Sequence, residues 1–144
     1  MSNYLPDTLP FPAPRNKEEV KFWQRCRERC LEFRLCVSCG HVHHPPLPLC
    51  PKCQSVENEW CTAPQSAELY TYTIVYQAVH NDVRDSTPYV VAVVLFKELN
   101  NLRFVTNLVG VPLAEIAIGM RLSLVWEPLP NGVYLPRFKR SVEK

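Results

Sequence analysis

The spacing of apolar positions changes period along the chain, and the changes mark out its parts. From Asn16 to about Glu32 the spacing is helical: Phe22, Trp23, Cys26, Cys30 and Phe33 fall on one apolar stripe. Asn16 stands at the N-cap, with Glu19 three residues on as in a capping box. Lys17, Lys21, Arg25, Arg27 and Arg29 share the other faces with Glu18, Glu19, Glu28 and Glu32. That mixture reads as a solvated face, and the interleaved glutamates weaken a phosphate-binding one. Leu31 to Leu35 then alternates and predicts a strand.

From Ala67 the period is two. Leu69 to Val79 puts Tyr70, Tyr72, Ile74 and Tyr76 on one face, with Thr71, Thr73 and Val75 on the other. His80 to Thr87 is polar, charged and expected to be mobile. Further strands are predicted over Pro88–Phe96, Leu102–Val109, Met120–Trp126 and Val133–Phe138. Pro112–Ile118 reads as a short turn or a single helical turn, and Pro128–Gly132 as the last hairpin turn. A long strand, two more, a short helical connection and a closing hairpin follow the order of an OB-fold barrel. Five strands alone fit another small barrel as well. At the other end, residues 1–15 carry Pro6, Pro10, Pro12 and Pro14 among Leu5, Leu9 and Phe11. They read as an extended arm on a surface, its own or a partner's, and equally as a disordered tail.

Between helix and barrel lies the chemistry. Cys36-Val-Ser-Cys39-Gly40 and Cys50-Pro51-Lys-Cys53 are two Cys-x-x-Cys pairs ten residues apart. Each pair fits a tight knuckle turn, and together they can deliver four thiolates to one tetrahedral zinc. Gly40 supplies a residue that tolerates positive φ, and Pro51 pre-sets its own φ. The expected fold is mainly β with an N-terminal helix: an arm and helix over 1–34, a zinc ribbon over 35–62 and an OB-fold over 63–144. The ribbon loop also holds His41, His43 and His44 among Pro45, Pro46 and Pro48. With four cysteines at the right spacing, these histidines read as surface or partner contacts rather than ligands. Cys26 and Cys30 read as small apolar residues of the helical stripe. Trp60 is placed where the ribbon meets the barrel. No base can be tied to Cys61, so it reads as structural.

Composition narrows this further. Sixteen basic residues against fourteen acidic ones give a net charge of +2, which is no basic groove for nucleic acid. Tyr70, Tyr72, Tyr76 and Phe104 could stack on bases, and Arg137, Lys139 and Arg140 form a small cluster. Without a clear excess of cations these read as barrel surface and tail. The N-terminus shows no basic and apolar signal segment, and Pro88–Phe96 is too short to span a bilayer. Seven cysteines, an odd number, fit a reducing cytoplasm in which thiolates bind zinc and the spare thiols stay free.

The ordered set of features resembles one family. It is the bacterial and archaeal family of acyl-CoA-associated proteins with a rubredoxin-like zinc ribbon followed by an OB-fold. The resemblance covers roughly residues 20–140. It is carried by Phe22-Trp23, Cys36-x-x-Cys39-Gly40, Pro45-Pro46, Cys50-Pro51-x-Cys53 and Trp60. In the barrel it is carried by Tyr72-Thr73, Pro88-Tyr89-Val90-Val91-Ala92, Thr106-Asn107-Leu108-Val109-Gly110, Ile118-Gly119-Met120 and Pro136-Arg137-Phe138. The resemblance implies a structural zinc, with a thiolase-fold catalytic subunit, a hydratase or an aldolase as partner. It implies a hetero-oligomer in which the helix and ribbon dock on that partner, with Phe22 and Trp23 in the contact. One branch is similar to the small subunit of bacterial phloroglucinol acetyltransferase complexes.

Two departures stand near the ribbon–barrel junction. Leu47 stands where many relatives have arginine, and Ala63-Pro64-Gln65-Ser66-Ala67 replaces a Ser-Gly-x-Gly turn. If relatives hold a CoA phosphate there, the missing arginine favours a scaffold role over CoA binding. The sequence therefore leads to a non-catalytic accessory subunit of an acyl-transferring or condensing complex. The alternatives are an acyl-CoA-binding subunit of a hydratase or aldolase, and a nucleic-acid-binding module. No nucleophile with a placed base and no glycine-rich phosphate loop can be assembled for a solitary enzyme.

Overall fold

The computed structural model describes Pro6 and residues 11–142. Most of the expected N-terminal arm therefore lies outside the described residues. Residues 11–15 have no regular structure, and Phe11 is exposed. Helix α1 spans Lys17–Arg27, shorter than its apolar stripe suggests. Asn16 Oδ1 accepts the Glu19 N–H at 2.8 Å, as a cap should. The return bond is shifted by one residue, because the Glu19 carboxylate accepts the Arg15 N–H at 3.1 Å rather than that of Asn16.

The helix stops at a Schellman turn. Arg29 takes the left-handed conformation with φ 57°, its N–H donates to the Cys26 carbonyl, and the Cys30 N–H donates to the Arg25 carbonyl. That ending corrects the predicted stripe. Phe22 and Cys26 are buried on α1, but Cys30 and Phe33 lie beyond it, and Phe33 belongs to a strand.

Strand β1 (Glu32–Cys36) is the centre of a small antiparallel sheet. Its neighbours are β2 (Val42–His43) and β3 (Asn58–Thr62). Then come β4 (Ser66–Val75), β5 (Tyr89–Phe96), β6 (Leu102–Leu108), β7 (Arg121–Pro128) and β8 (Tyr134–Arg140). These five close a barrel in the order β4-β5-β6-β8-β7, with β7 returning to β4. Among the described residues only β6 and β8 run parallel, meeting at Leu108 and Phe138. This is the OB-fold arrangement, closed through the short β6–β8 and β4–β7 seams.

A bulge between Leu69 and Thr71 re-phases β4. Leu69 points inward, Tyr72 and Ile74 pack on the core, and Tyr70 is turned out under the Arg103 guanidinium, 4.3 Å from its ring centre. The predicted single face of Tyr70, Tyr72, Ile74 and Tyr76 is thus broken, and Tyr76 lies past the strand end. His80 to Thr87, the polar segment expected to be mobile, forms a hydrogen-bonded turn. Its 3₁₀ segment Asn81–Ser86 is fastened by Thr87 Oγ1 donating to the Arg84 carbonyl, with Val83 buried beneath.

One core runs through both sheets. Phe33 of β1 is 0% exposed. Its ring lies 5.6 Å from Phe96 and 5.5 Å from Phe104, both barrel residues, and 5.3 Å from His44. On the far hairpin, Arg137 Nε donates to Glu127 Oε1 at 2.9 Å, both side chains nearly enclosed. The end of α1 reaches this region: Arg27 donates to the Asn131 carbonyl, and Arg29 lies over the Tyr134 ring. Among the described residues no helix is long and apolar enough to cross a membrane.

Candidate metal centre

The ligating atoms of Cys36, Cys39, Cys50 and Cys53 all lie within 4.8 Å of one another. A tetrahedral site with Zn–S bonds near 2.3 Å sets its sulfurs about 3.8 Å apart. The Cys36–Cys53 and Cys39–Cys50 sulfurs stand 3.5 and 3.7 Å apart, so the donor set fits zinc in both chemistry and size.

Two equivalent knuckles make the cluster. In the first, the Gly40 N–H donates to the Cys36 carbonyl at 2.8 Å, with Gly40 at φ 77°. In the second, the Gln54 N–H donates to the Cys50 carbonyl at 2.8 Å, with Gln54 at φ 66°. The left-handed turn is the same in both. Sequence reasoning found it only where a glycine announces it. The knuckles are tied together by a Ser38–Ser55 hydroxyl bond of 2.8 Å and by the Val37 N–H donating to the Glu57 carbonyl.

The backbone favours thiolate at this centre. Burial opposes ionisation of Cys36, yet N–H groups of Cys39 and Ser38 and the Cys53 thiol bring it down to about 7. Cys50 is also lowered against its burial, with the Cys53 and Lys52 N–H groups as donors. A zinc held by four thiolates has no open position for water, so its chemistry here is structural and its binding energy serves folding.

None of the ribbon histidines joins this cluster. His44 is packed among Phe22, Phe33 and Phe104, with ring centres 4.8–5.3 Å away. Burial pushes its imidazole down to about 4. His43 on β2 is also buried. The expected surface position therefore fails for both: His44 is folded onto the aromatic core, and His43, on the opposite face of the ribbon sheet, is covered there. Cys26 is wholly buried, which pushes its thiol up to about 12. Cys61 is half-buried against the core, and burial raises its pKa too. Neither setting activates a nucleophile.

Of the pair expected at a partner, Phe22 is buried and meets Trp23 edge-on at 5.1 Å, while Trp23 is only half-buried. Trp60 packs partly on the core but also faces α1. It lines a groove with Lys17, Glu18, Lys21 and Arg34, a grouping that sequence spacing could not show.

Known proteins share this build. The family description "ChsH2, rubredoxin-like zinc ribbon domain" matches residues 23–59, and "ChsH2, C-terminal OB-fold domain" matches residues 60–127. A chain of a solved structure described as an Ltp2-ChsH2(DUF35) aldolase is 32% identical, with a TM-score of 0.80 over 92% of this chain and 100% of that one. A DUF35-family protein from Sulfolobus solfataricus is 15% identical with a TM-score of 0.61, covering 88% of this chain and 87% of that one; it shows the shared fold alone. A Thermomonospora curvata protein described as a probable enoyl-CoA hydratase alpha subunit is 33% identical over 132 residues. That match takes in 91% of this chain but spans only 40% of the length of the curated relative. The paired thiolate knuckles, the closed barrel and a full-length relative at this identity agree: the chain belongs to the ChsH2 (DUF35) family of zinc-ribbon and OB-fold proteins.

Proposed function

We propose that this chain is a non-catalytic accessory subunit of a hetero-oligomeric enzyme acting on acyl-CoA or related acyl substrates. Cys36, Cys39, Cys50 and Cys53 hold its structural zinc. The observation that carries the reading is the full-length similarity to a chain of an aldolase assembly, together with a four-thiolate centre that leaves a metal no catalytic position. In this reading the partner holds the active site and is thiolase-like, and this chain shapes or steadies it. Trp23, half-buried on α1, is the contact we assign to the partner; Phe22 supports it from the core. The division into an arm and helix (1–34), a ribbon (35–62) and a barrel (63–144) belongs to the same proposal, as does a reducing, cytoplasmic setting for the thiolates.

Two readings of the partner's chemistry follow. The sequence resemblance implies acyl transfer or condensation. The descriptions of two relatives name aldol chemistry and enoyl-CoA hydration, which favours an aldolase or hydratase partner. Gentle purification from the native cells, with mass spectrometry and light scattering, tests the proposal. A thiolase-fold, aldolase or hydratase subunit at fixed stoichiometry is expected, and its active site then names the reaction. Recovery of a lone chain would overturn the accessory role.

A further inference from the structure

On the outward face of the ribbon sheet several buried polar groups stand without partners. Arg34 on β1 stands directly opposite His43 on β2 and Trp60 on β3, so the three form one row on the side away from Phe33. Lys17, Glu18 and Lys21 of α1 close over this side. With Arg34 and Trp60 they line an open groove of about 210 Å³. The Arg34 guanidinium lies 4.9 Å from the centre of the Trp60 ring. Its Nε is buried without a hydrogen-bond partner, and so are both ring nitrogens of His43, which is 4% exposed. Buried polar groups in native proteins are nearly always satisfied, and of these side chains Arg34 lines the groove, so its guanidinium is where an acceptor from a bound molecule would sit.

The charges agree. Among the described residues, Lys17, Lys21 and Arg34 make no ion pair, while the neighbouring carboxylates are committed elsewhere: Glu19 to Arg15, and Glu28 and Glu32 to Arg25. Glu18 alone offsets the three cations lining the groove.

We propose that this groove receives an acidic segment of the protein partner, with a carboxylate on Arg34 and an apolar side chain against Trp60. The proposal rests on the accessory-subunit reading and deepens it. A protein segment is favoured over a free nucleotide because small-molecule pockets enclose roughly 300–1,000 Å³, whereas this groove is smaller and open. Tryptophan and arginine are also the side chains most enriched where protein contacts are strongest. Lys17 and Lys21 at the rim steer an acidic segment inward.

The probe is a short peptide with glutamates on both sides of a leucine, titrated into the zinc-loaded full chain. NMR follows the Nε–H of Arg34 and the indole N–H of Trp60. Both signals should shift saturably, and binding should weaken severalfold as salt rises from about 50 to about 250 mM. The double variant Lys17→Glu, Lys21→Glu should bind about tenfold more weakly. Both side chains are exposed on α1, where substitutions cost little, so the fold is retained. Arg34→Gln should lose binding with the zinc still held.

No movement at Arg34 with millimolar peptide, or wild-type affinity in the double variant, overturns the proposal. Tighter binding of inorganic phosphate or ADP than of the peptide also overturns it, in favour of a small-ligand site. A partner complex whose affinity ignores the double charge reversal sinks the groove and leaves the accessory reading intact. Peptide binding at Arg34 by a chain that forms no complex in its cells sinks the accessory reading and leaves the groove's ligand chemistry intact.

Discussion

Phe33→Ala should unsettle the barrel even though Phe33 sits on a ribbon strand. The side chain is 0% exposed and touches three rings, those of His44, Phe104 and Phe96, at 5.3, 5.5 and 5.6 Å. Truncating a buried phenylalanine to alanine costs about 3–5 kcal/mol. Each lost aromatic pair carries about 0.5–1.5 kcal/mol beyond area, which places this site in the upper half of that range. A domain has only about 5–15 kcal/mol in all, so the loss is a large share. With a urea slope of about 2 kcal/mol per molar, the midpoint should fall by about 2 M. Phe33→Leu, which keeps most of the volume, should lose about 1–2 kcal/mol. The assay is equilibrium unfolding in urea with two readouts: zinc release to a colorimetric chelator, and amide exchange on β5 and β6. Both should move together. A midpoint shift under ~0.5 M, or zinc release with β5 and β6 still protected, would show two separable units and refute the shared core.

Other predictions follow from the same geometry. Cys53→Ser or a strong chelator should release the zinc and open the ribbon, because a four-thiolate site supplies about 10–16 kcal/mol near neutral pH; metal analysis with far-ultraviolet circular dichroism reads both effects. His44, with its pKa lowered to about 4 from an ordinary value near 6.5, gives up stability as pH falls from about 6.5 towards 4, since the unfolded chain takes the proton first. The loss is up to about 3 kcal/mol, and His44→Leu should remove that part of the slope, measured as the difference in urea midpoints between the two proteins. Glu127→Gln strands the enclosed Arg137 guanidinium and should cost about 3 kcal/mol, read as a drop in Tm. Trp23→Asp should weaken the partner complex, measured by light scattering; unchanged assembly of a folded variant would remove Trp23 from the interface.

The barrel and the metal cluster were legible because each is written locally. Alternation marks strands such as Tyr89–Phe96, and two Cys-x-x-Cys pairs mark knuckles wherever the chain goes. What escaped depends on residues whose conformation their type does not announce. Arg29 and Gln54 adopt the left-handed turn that glycine usually signals, so the end of α1 and half of the zinc site's geometry were silent. Phe33 fits a helical stripe by count, and only the Schellman turn at Arg29 moves it to a strand. The bulge at Tyr70 has no glycine either, and His44 gives no local sign that three aromatic residues distant in sequence enclose it. The groove of Lys17, Lys21, Arg34 and Trp60 comes from three segments brought together by folding, which no spacing rule reaches.

The seating of Phe33 between Phe96 and Phe104 limits how such proteins can be recombined. Ribbon and barrel look like exchangeable cassettes along the chain, and a cut near residue 60 would separate them cleanly on paper. A chimera made there would carry Phe33 away from its socket and leave a hole between two phenylalanines in the recipient barrel. A successful graft has to move β1 together with the facing residues of β5 and β6, so the unit that can be inherited or engineered is set by packing, not by the order of motifs.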